Sequence, residues 1–252
     1  MLNENEKNAL RYYIGDVSGS DAFYGDPKAY VVINSLFFPE ITTERARAAE
    51  GKYLNPAIVE DTERLLEFFS GLFSAFRKCA AGETINTFRV ERFSDYSLCK
   101  EYGHTLSLTS TSKAGFLREY RDRLGIALMK FEISAGTPCI DVGAALDVYV
   151  KPEEAEVLLP PFTRLEITEC MPSGEEAEIL DSAGKPPIVG SKVKACGIVP
   201  FSGEICELPA DGNKAGMRVY TALNAGKAPD EDDVKLYTCW KSALVKSLHG
   251  MI

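Results

Sequence analysis

Residues 151–161 read Lys151-Pro152-Glu153-Glu154-Ala155-Glu156-Val157-Leu158-Leu159-Pro160-Pro161, a turn that runs into an apolar strand. Side chains alternate along a strand, so a strand over Ala155–Leu159 puts Glu154 and Glu156 on one face. Like charges side by side cost energy, and a buried strand that begins with two carboxylates implies a use for them. Taken alone, an acidic cluster such as Glu153–Glu156 is more often a solvated turn. Two features upstream change that balance. Ser107-Leu108-Thr109-Ser110-Thr111-Ser112 is a strand ending in hydroxyls, with Ser110 and Ser112 on one face. Thr87-Phe88-Arg89-Val90 sets an arginine inside an otherwise apolar strand. Each has an ordinary explanation, a surface arginine with a buried stem and a Ser/Thr turn. The order of all three, with 21 residues from Arg89 to Ser110 and 46 from Ser110 to Glu156, is far more specific than any one.

Around these stretches the texture is β. Ile85–Arg92, His104–Ser110, Gly125–Ile133, Cys139–Val142, Ala155–Leu159 and Thr163–Thr168 read as short strands, with helices or loops at Ser94–Glu101 and Gly115–Asp122. The N-terminal side is helical. Asn5–Tyr13, Lys28–Phe37 and Thr43–Ala49 are short candidates. From Ala57 to Cys79, Ile58, Leu65, Leu66, Phe69, Leu72, Phe73 and Phe76 form one apolar stripe. Beyond residue 171 the pattern is less regular, with strands at Ser191–Val199 and Met217–Leu223 and a final helix over Asp230–Leu248. Its acidic start and basic end suit the helix dipole. Helices first and strands afterwards predict an α+β fold.

Composition narrows the function. The chain has 252 residues, 28 Lys+Arg against 37 Asp+Glu, and a net charge of −9. That balance does not favour a nucleic-acid surface, which needs clustered cations. With 45% apolar residues a packed core is expected. No apolar run reaches the roughly 18 residues of a membrane span, and the start Met1-Leu2-Asn3-Glu4 lacks the features of a signal peptide. A soluble protein, cytoplasmic or exported, is the expectation. Seven cysteines without a C-x-x-C pair read as reduced thiols, and two histidines without ligand spacing disfavour zinc, so no metal is expected. The dinucleotide-binding, P-loop and nucleophile-elbow motifs are absent.

Arginine on a strand, then Ser110-Thr111-Ser112, then Glu154-x-Glu156 resembles the R-S-E signature of mono-ADP-ribosyltransferases. The arginine-modifying branch, which includes clostridial binary toxins and vertebrate cell-surface enzymes, is the nearest in pattern. The similarity covers about residues 84–169, with Lys130-Phe131-Glu132-Ile133 and Cys139-Ile140-Asp141-Val142 resembling the intervening strands. The resemblance implies an ADP-ribosyltransferase-like fold, a two-sheet, largely antiparallel β core with N-terminal helices. It implies one domain over 1–252, with a helical part (1–82), an NAD-binding core (83–170) and a C-terminal extension (171–252).

The resemblance also assigns roles. NAD is the implied substrate, contacted by Arg89, Ser110, Thr111, Ser112 and Glu156. Arg89 would bind the NAD phosphates, Ser110 would hold Glu156 as the catalytic carboxylate, and Glu154 would mark an arginine acceptor. Arg92 is the alternative phosphate ligand. Strand alternation puts the two arginines on opposite faces, and Phe88 and Val90 fit Arg89 to the inward one. The turn at Asp147–Glu153 would be the acceptor-recognition loop, and Lys113–Leu124 the loop over phosphate and nicotinamide. The implied activity is transfer of ADP-ribose from NAD to a protein arginine, as in a toxin or effector, with actin an acceptor only through the toxin resemblance. The alternatives are an NAD glycohydrolase using the same site and an inactive binding module of the same fold.

Overall fold

The computed structural model of the chain describes residues 1–15, 29–38, 57–91, 93–113, 127–147, 152–170 and 189–252. In chain order these form α1 (Glu4–Ile14), α2 (Ala29–Ser35), α3 (Ala57–Glu60), α4 (Thr62–Lys78), β1 (Ile85–Glu91), α5 (Phe93–Tyr102), β2 (Thr109–Ser112), β3 (Ala127–Ile133), β4 (Ile140–Asp141), α6 (Val142–Ala145), a 3-10 turn (Pro152–Glu154), β5 (Glu156–Leu159), β6 (Thr163–Cys170), β7 (Val189–Ile198), α7 (Gly212–Asn224) and α8 (Glu231–Met251). Helices and strands are segregated along the chain, so the class is α+β, as expected. The expected elements at Thr43–Ala49 and Gly115–Asp122 lie outside the described residues.

The chain divides into two compact units, Phe76–Pro200 with Met1, and Leu2–Ala75 with Phe201–Ile252. β7, which sequence reading assigns to the C-terminal extension, belongs to the sheet of the first unit, while the second unit unites the N-terminal helices with residues 201–252. Its α1 begins in a capping box: Glu6 N donates to Asn3 Oδ1 at 3.0 Å and Asn3 N to Glu6 Oε2 at 2.8 Å. The apolar stripe over 57–79 is two helices rather than one. Asp61 lies between them, and its carboxylate accepts from Arg64 N at 3.0 Å, which starts the second helix as a cap does. The strand expected at Met217–Leu223 is instead part of α7. Its buried Gly212, Ala215, Gly216, Val219, Tyr220 and Leu223 recur at helical spacing and pack on α8. A Cβ on Gly216 would lie 2.6 Å from the Tyr237 ring, so tertiary contact, not local β propensity, sets this segment's state.

The first unit holds a seven-stranded sheet in the order β4-β5-β2-β1-β3-β7-β6. All neighbours are antiparallel except β3 and β7. Where the resemblance implies two sheets, the strands form one ladder of two halves, β4-β5-β2 and β1-β3-β7-β6, joined at the register pair Phe88↔Ser112. One face carries the principal core, with Ala127, Met129, Phe131, Ile133, Val157, Leu159, Val193 and Ala195, and Tyr96 from α5. Phe88, Val90 and Leu128 cluster on the other face. Strand ends differ from the sequence reading at one place that matters. The strand expected at His104–Ser110 is β2, Thr109–Ser112, while His104 makes only an isolated bridge with Arg164.

A buried knot of hydroxyls sets the exit of β5. Thr105 Oγ1 donates to Pro160 O at 2.8 Å and accepts from Thr163 N at 3.0 Å, and Thr163 Oγ1 also donates to Pro160 O at 2.8 Å. The turn between β5 and β6 requires this support, because Phe162 holds φ 63° without being glycine. Thr87 on β1 is the contrast: it is fully buried and its Oγ1 has no hydrogen-bond partner. Valine has nearly the same shape as threonine, so the same substitution at the two sites should act in opposite directions. Thr105→Val strands the Thr163 amide and should lower stability by about 1–3 kcal/mol. Thr87→Val removes an unsatisfied hydroxyl and should leave stability unchanged or raise it by about 1 kcal/mol. Urea unfolding of both variants against wild type measures this, and equal losses at the two sites would contradict it.

Candidate active site

The site is built on the antiparallel pairing of β2 with β5: Ser112↔Glu156, Thr111↔Val157, Ser110↔Leu158 and Thr109↔Leu159. Residues opposite each other in a ladder share a face. Thr109 and Thr111 therefore lie with Val157 and Leu159 on the core face, and the Thr111 hydroxyl is absorbed by Val157 O at 2.9 Å. Ser110, Ser112 and Glu156 lie together on the opposite face. Ser112, rather than Ser110, stands directly opposite Glu156, and Ser110 is its diagonal neighbour. Glu156 is 6% exposed, so a carboxylate is placed inside the fold next to two serines.

Glu154 reaches this place by a different route from the one alternation predicts. It ends the 3-10 turn, and Ala155 between the two glutamates has φ 44°, a left-handed conformation that costs a non-glycine residue roughly 1–2 kcal/mol. The strand starts only at Glu156, so strand parity does not relate the two carboxylates. What holds them is a clamp on the main chain. Ser112 Oγ donates to Glu154 O at 2.6 Å, Lys113 N donates to Ala155 O at 3.1 Å, and Ala155 N donates to Pro152 O at 3.2 Å. Lys113 Nζ also reaches Asp141 Oδ2 at 2.5 Å, while Asp141 Oδ1 accepts from Ala144 N at the start of α6. The ends of β2, β4 and β5 are thus tied around one turn.

Arg89 lies on the core side of β1, opposite Met129. Its guanidinium nevertheless returns to β2, with Nη1 donating to Ser110 O at 2.7 Å. Because Lys113 N turns toward β5, the peptide groups of Ser110 and Ser112 turn toward β1. The Ser110 carbonyl thus faces the join between the two halves of the sheet, where Phe88↔Ser112 is the register pair, and the Arg89 guanidinium binds it there. Nε and Nη2 of Arg89 both bind Glu91 Oε2 at 2.6 Å, in a partly buried pair with side chains 28% and 15% exposed. Behind it, burial pushes the Cys99 thiol up to about 11, with the Glu91 carboxylate adding to the shift.

Sequence reasoning did not single out Glu91 or Asp141 as site residues, and it named Lys113 only as the first residue of the loop over phosphate and nicotinamide. Glu91 was legible, since Arg89-x-Glu91 on a strand puts both side chains on one face. Arg92 lies outside the described residues, as do 114–124 of the loop over phosphate and 148–151 of the acceptor loop. Across the sheet Glu156, Ser112, Phe88, Lys130, Lys192 and Thr168 stand in one row. Lys130 Nζ lies 5.7 Å from the Phe88 ring centroid, and three strand spacings put Lys130 about 14 Å from Glu156. Among the described residues there is no cluster of three or more His, Cys, Asp or Glu that could hold a metal ion, and no helix long and apolar enough to cross a membrane.

No protein-family model matches the chain, and no curated protein matches its sequence. Solved structures similar to it include the Clostridium limosum C3 exoenzyme, at 15% identity over 77% of this chain and 86% of that one, TM-score 0.46. Another is the ADP-ribosylating toxin BECa of a C. perfringens binary enterotoxin, with NADH, at 18% identity over 79% of this chain and 44% of that one, TM-score 0.48. A third is C3stau2 from S. aureus with NAD, at 15% identity over 77% and 87%, TM-score 0.44.

The clamp has a measurable consequence. Ser112→Ala removes the partly buried bond to Glu154 O and should lower stability by about 1 kcal/mol. Ser110 holds Arg89 through its main-chain carbonyl, so Ser110→Ala retains that contact and should destabilise less. Denaturant midpoints compare the two, and a larger loss at Ser110 would remove the clamp from the account.

Proposed function

We propose that this chain is a mono-ADP-ribosyltransferase that moves ADP-ribose from NAD to a protein arginine and releases nicotinamide. The observation that carries this reading is the β2–β5 register, which sets a buried glutamate opposite a serine of the Ser-Thr-Ser run. A second glutamate ends the adjoining turn, and an arginine is bonded to the same serine strand. These are the residue types and places that cleavage of a nicotinamide–ribose bond calls for. Nicotinamide is a good leaving group, and the barrier lies in an oxocarbenium-like cation, as in glycoside hydrolysis.

Each residue then has a role set by its surroundings. Glu156, buried and fixed at the start of β5, stabilises the ribosyl cation and holds the ribose 2′-hydroxyl. Ser110 and Ser112 keep it aimed, Ser112 by fixing the main chain on its N-terminal side. Thr111 acts through the strand, its hydroxyl being spent on Val157 O. Arg89 supplies a planar fork for the pyrophosphate beside the join of β1 and β2. The bond from C1′ to nicotinamide breaks with its electron pair going to nicotinamide. A guanidinium nitrogen of the acceptor bonds to C1′, and its proton passes to Glu154. The acceptor is a protein with an exposed arginine, for which the resemblance offers Asp147–Glu153 as the recognition loop. NAD glycohydrolase activity is the same reaction with water at C1′.

Two substitutions test this division of labour. Glu156→Gln keeps the shape, removes the charge facing the cation, and should cut nicotinamide release roughly 10²–10³-fold with the fold intact. Glu154→Gln should lose transfer while leaving hydrolysis, because water needs no carboxylate to orient a guanidinium. Labelled NAD followed with and without agmatine reports free and transferred ADP-ribose together. Near wild-type nicotinamide release by Glu156→Gln would remove Glu156 from the mechanism. Equal loss of both activities at Glu154→Gln would place that residue in the donor site. NAD cleavage that agmatine and protein acceptors never divert would make the chain a glycohydrolase, and no NAD cleavage would make it a binding module.

A further inference from the structure

Arg89 is already bound to an anion supplied by the chain itself. Two of its three guanidinium nitrogens meet one carboxylate oxygen of Glu91 at 2.6 Å, and the third meets Ser110 O at 2.7 Å. Nothing in the R-S-E pattern includes Glu91. The pair is short, two residues apart on one strand, and partly withdrawn from water, so solvent screens it less than an exposed ion pair. We propose that Glu91 is an affinity-setting residue that competes with the NAD pyrophosphate for Arg89, so that NAD binds by exchanging one anion for another on the same guanidinium. The proposal rests on Arg89 being the phosphate ligand.

A pyrophosphate approaching Arg89 meets a cation largely neutralised by Glu91, and meets the Glu91 charge itself as a like charge. Occupying the Nε–Nη2 side of the guanidinium requires Glu91 to yield that edge and turn toward water, which its 15% exposure leaves open. The Ser110 carbonyl holds Nη1 meanwhile, so the guanidinium keeps its station beside β2 through the exchange. Because the resident competitor is tethered, salt has little left to displace from Arg89. With Glu91 neutral, anions from solution take its place and salt becomes the competitor.

The test uses the full chain with NAD as the probe, measured by calorimetry at low and high sodium chloride. Glu91→Gln keeps an acceptor for Arg89 and removes the charge. NAD should bind about fivefold tighter at low salt, and that gain should shrink as chloride is raised. Glu91→Asp keeps the charge on a shorter arm and should behave more like wild type than like the glutamine variant, which a merely structural role for the side chain would not produce. Arg89→Gln, measured alongside, separates the two layers. If Arg89→Gln weakens NAD binding while Glu91→Gln leaves it unchanged or weaker, the competition is overturned and Arg89 stands as ligand. If Arg89→Gln leaves NAD affinity unchanged, Arg89 is not the phosphate ligand and the competition falls with it. Thermal melts confirm that each variant is folded before its affinity is compared.

Discussion

The four-residue ladder between β2 and β5 is the constraint on which the rest of the site depends. It is short, but each of its positions has a task. Thr111 and Thr109 face the core, and Thr111 gives up its hydroxyl to Val157 O so that the core face stays satisfied. Ser110 and Ser112 face away with Glu156. A slip of β5 by one residue would turn Glu156 to the core face that holds Met129 and Phe131 and turn Val157 and Leu159 away from it. The energetic penalty of an unpaired buried carboxylate makes that register unavailable.

Support for the ladder comes from its two ends. At the C-terminal end of β5 the Thr105–Pro160–Thr163 knot fixes a turn whose Phe162 is left-handed. At the N-terminal end the Ser112 hydroxyl and the Lys113 amide fix a turn whose Ala155 is left-handed. Two unfavourable backbone conformations bracket a four-residue strand, and side-chain and main-chain hydrogen bonds hold both. Strained, over-determined backbone of this kind is common where side chains must be aimed. The join at Phe88↔Ser112, with Arg89 bridging to Ser110 O, then couples this half of the sheet to the half that carries most of the core.

The sheet also separates two chemical environments by parity alone. Arg89 and Glu91 share the side of Met129 and Ala127, while Glu156, Ser112 and Phe88 share the other, with Lys130 and Lys192 continuing the row. The Arg89 guanidinium returns to β2 at Ser110 O, where the two halves of the sheet join.

Much of this was legible in the sequence. The α+β class, the positions of β1, β3, β6 and β7 and the helices at both ends follow from apolar periodicity and residue type, and the arginine, Ser-Thr-Ser and glutamate stretches stand out by their order along the chain. Periodicity is a local property that survives whatever the chain packs against. The misses have one cause, which is that tertiary contact overrode a local rule. Alternation put Glu154 and Glu156 on one strand face, but hydrogen bonds from Ser112 and Lys113 hold Ala155 left-handed and start the strand a residue later. A β-like run at Met217–Leu223 is helical because Gly212 and Gly216 let it lie close against Trp240 and Tyr237 of α8. Which serine stands opposite Glu156, and that Arg89 already holds Glu91 and the Ser110 carbonyl, depends on the registers of separate strands. The sequence by itself determined which residues carry charge, hydroxyls and apolar stripes. Only the tertiary structure decided which of them meet, because register is set by packing and hydrogen bonds between segments dozens of residues apart.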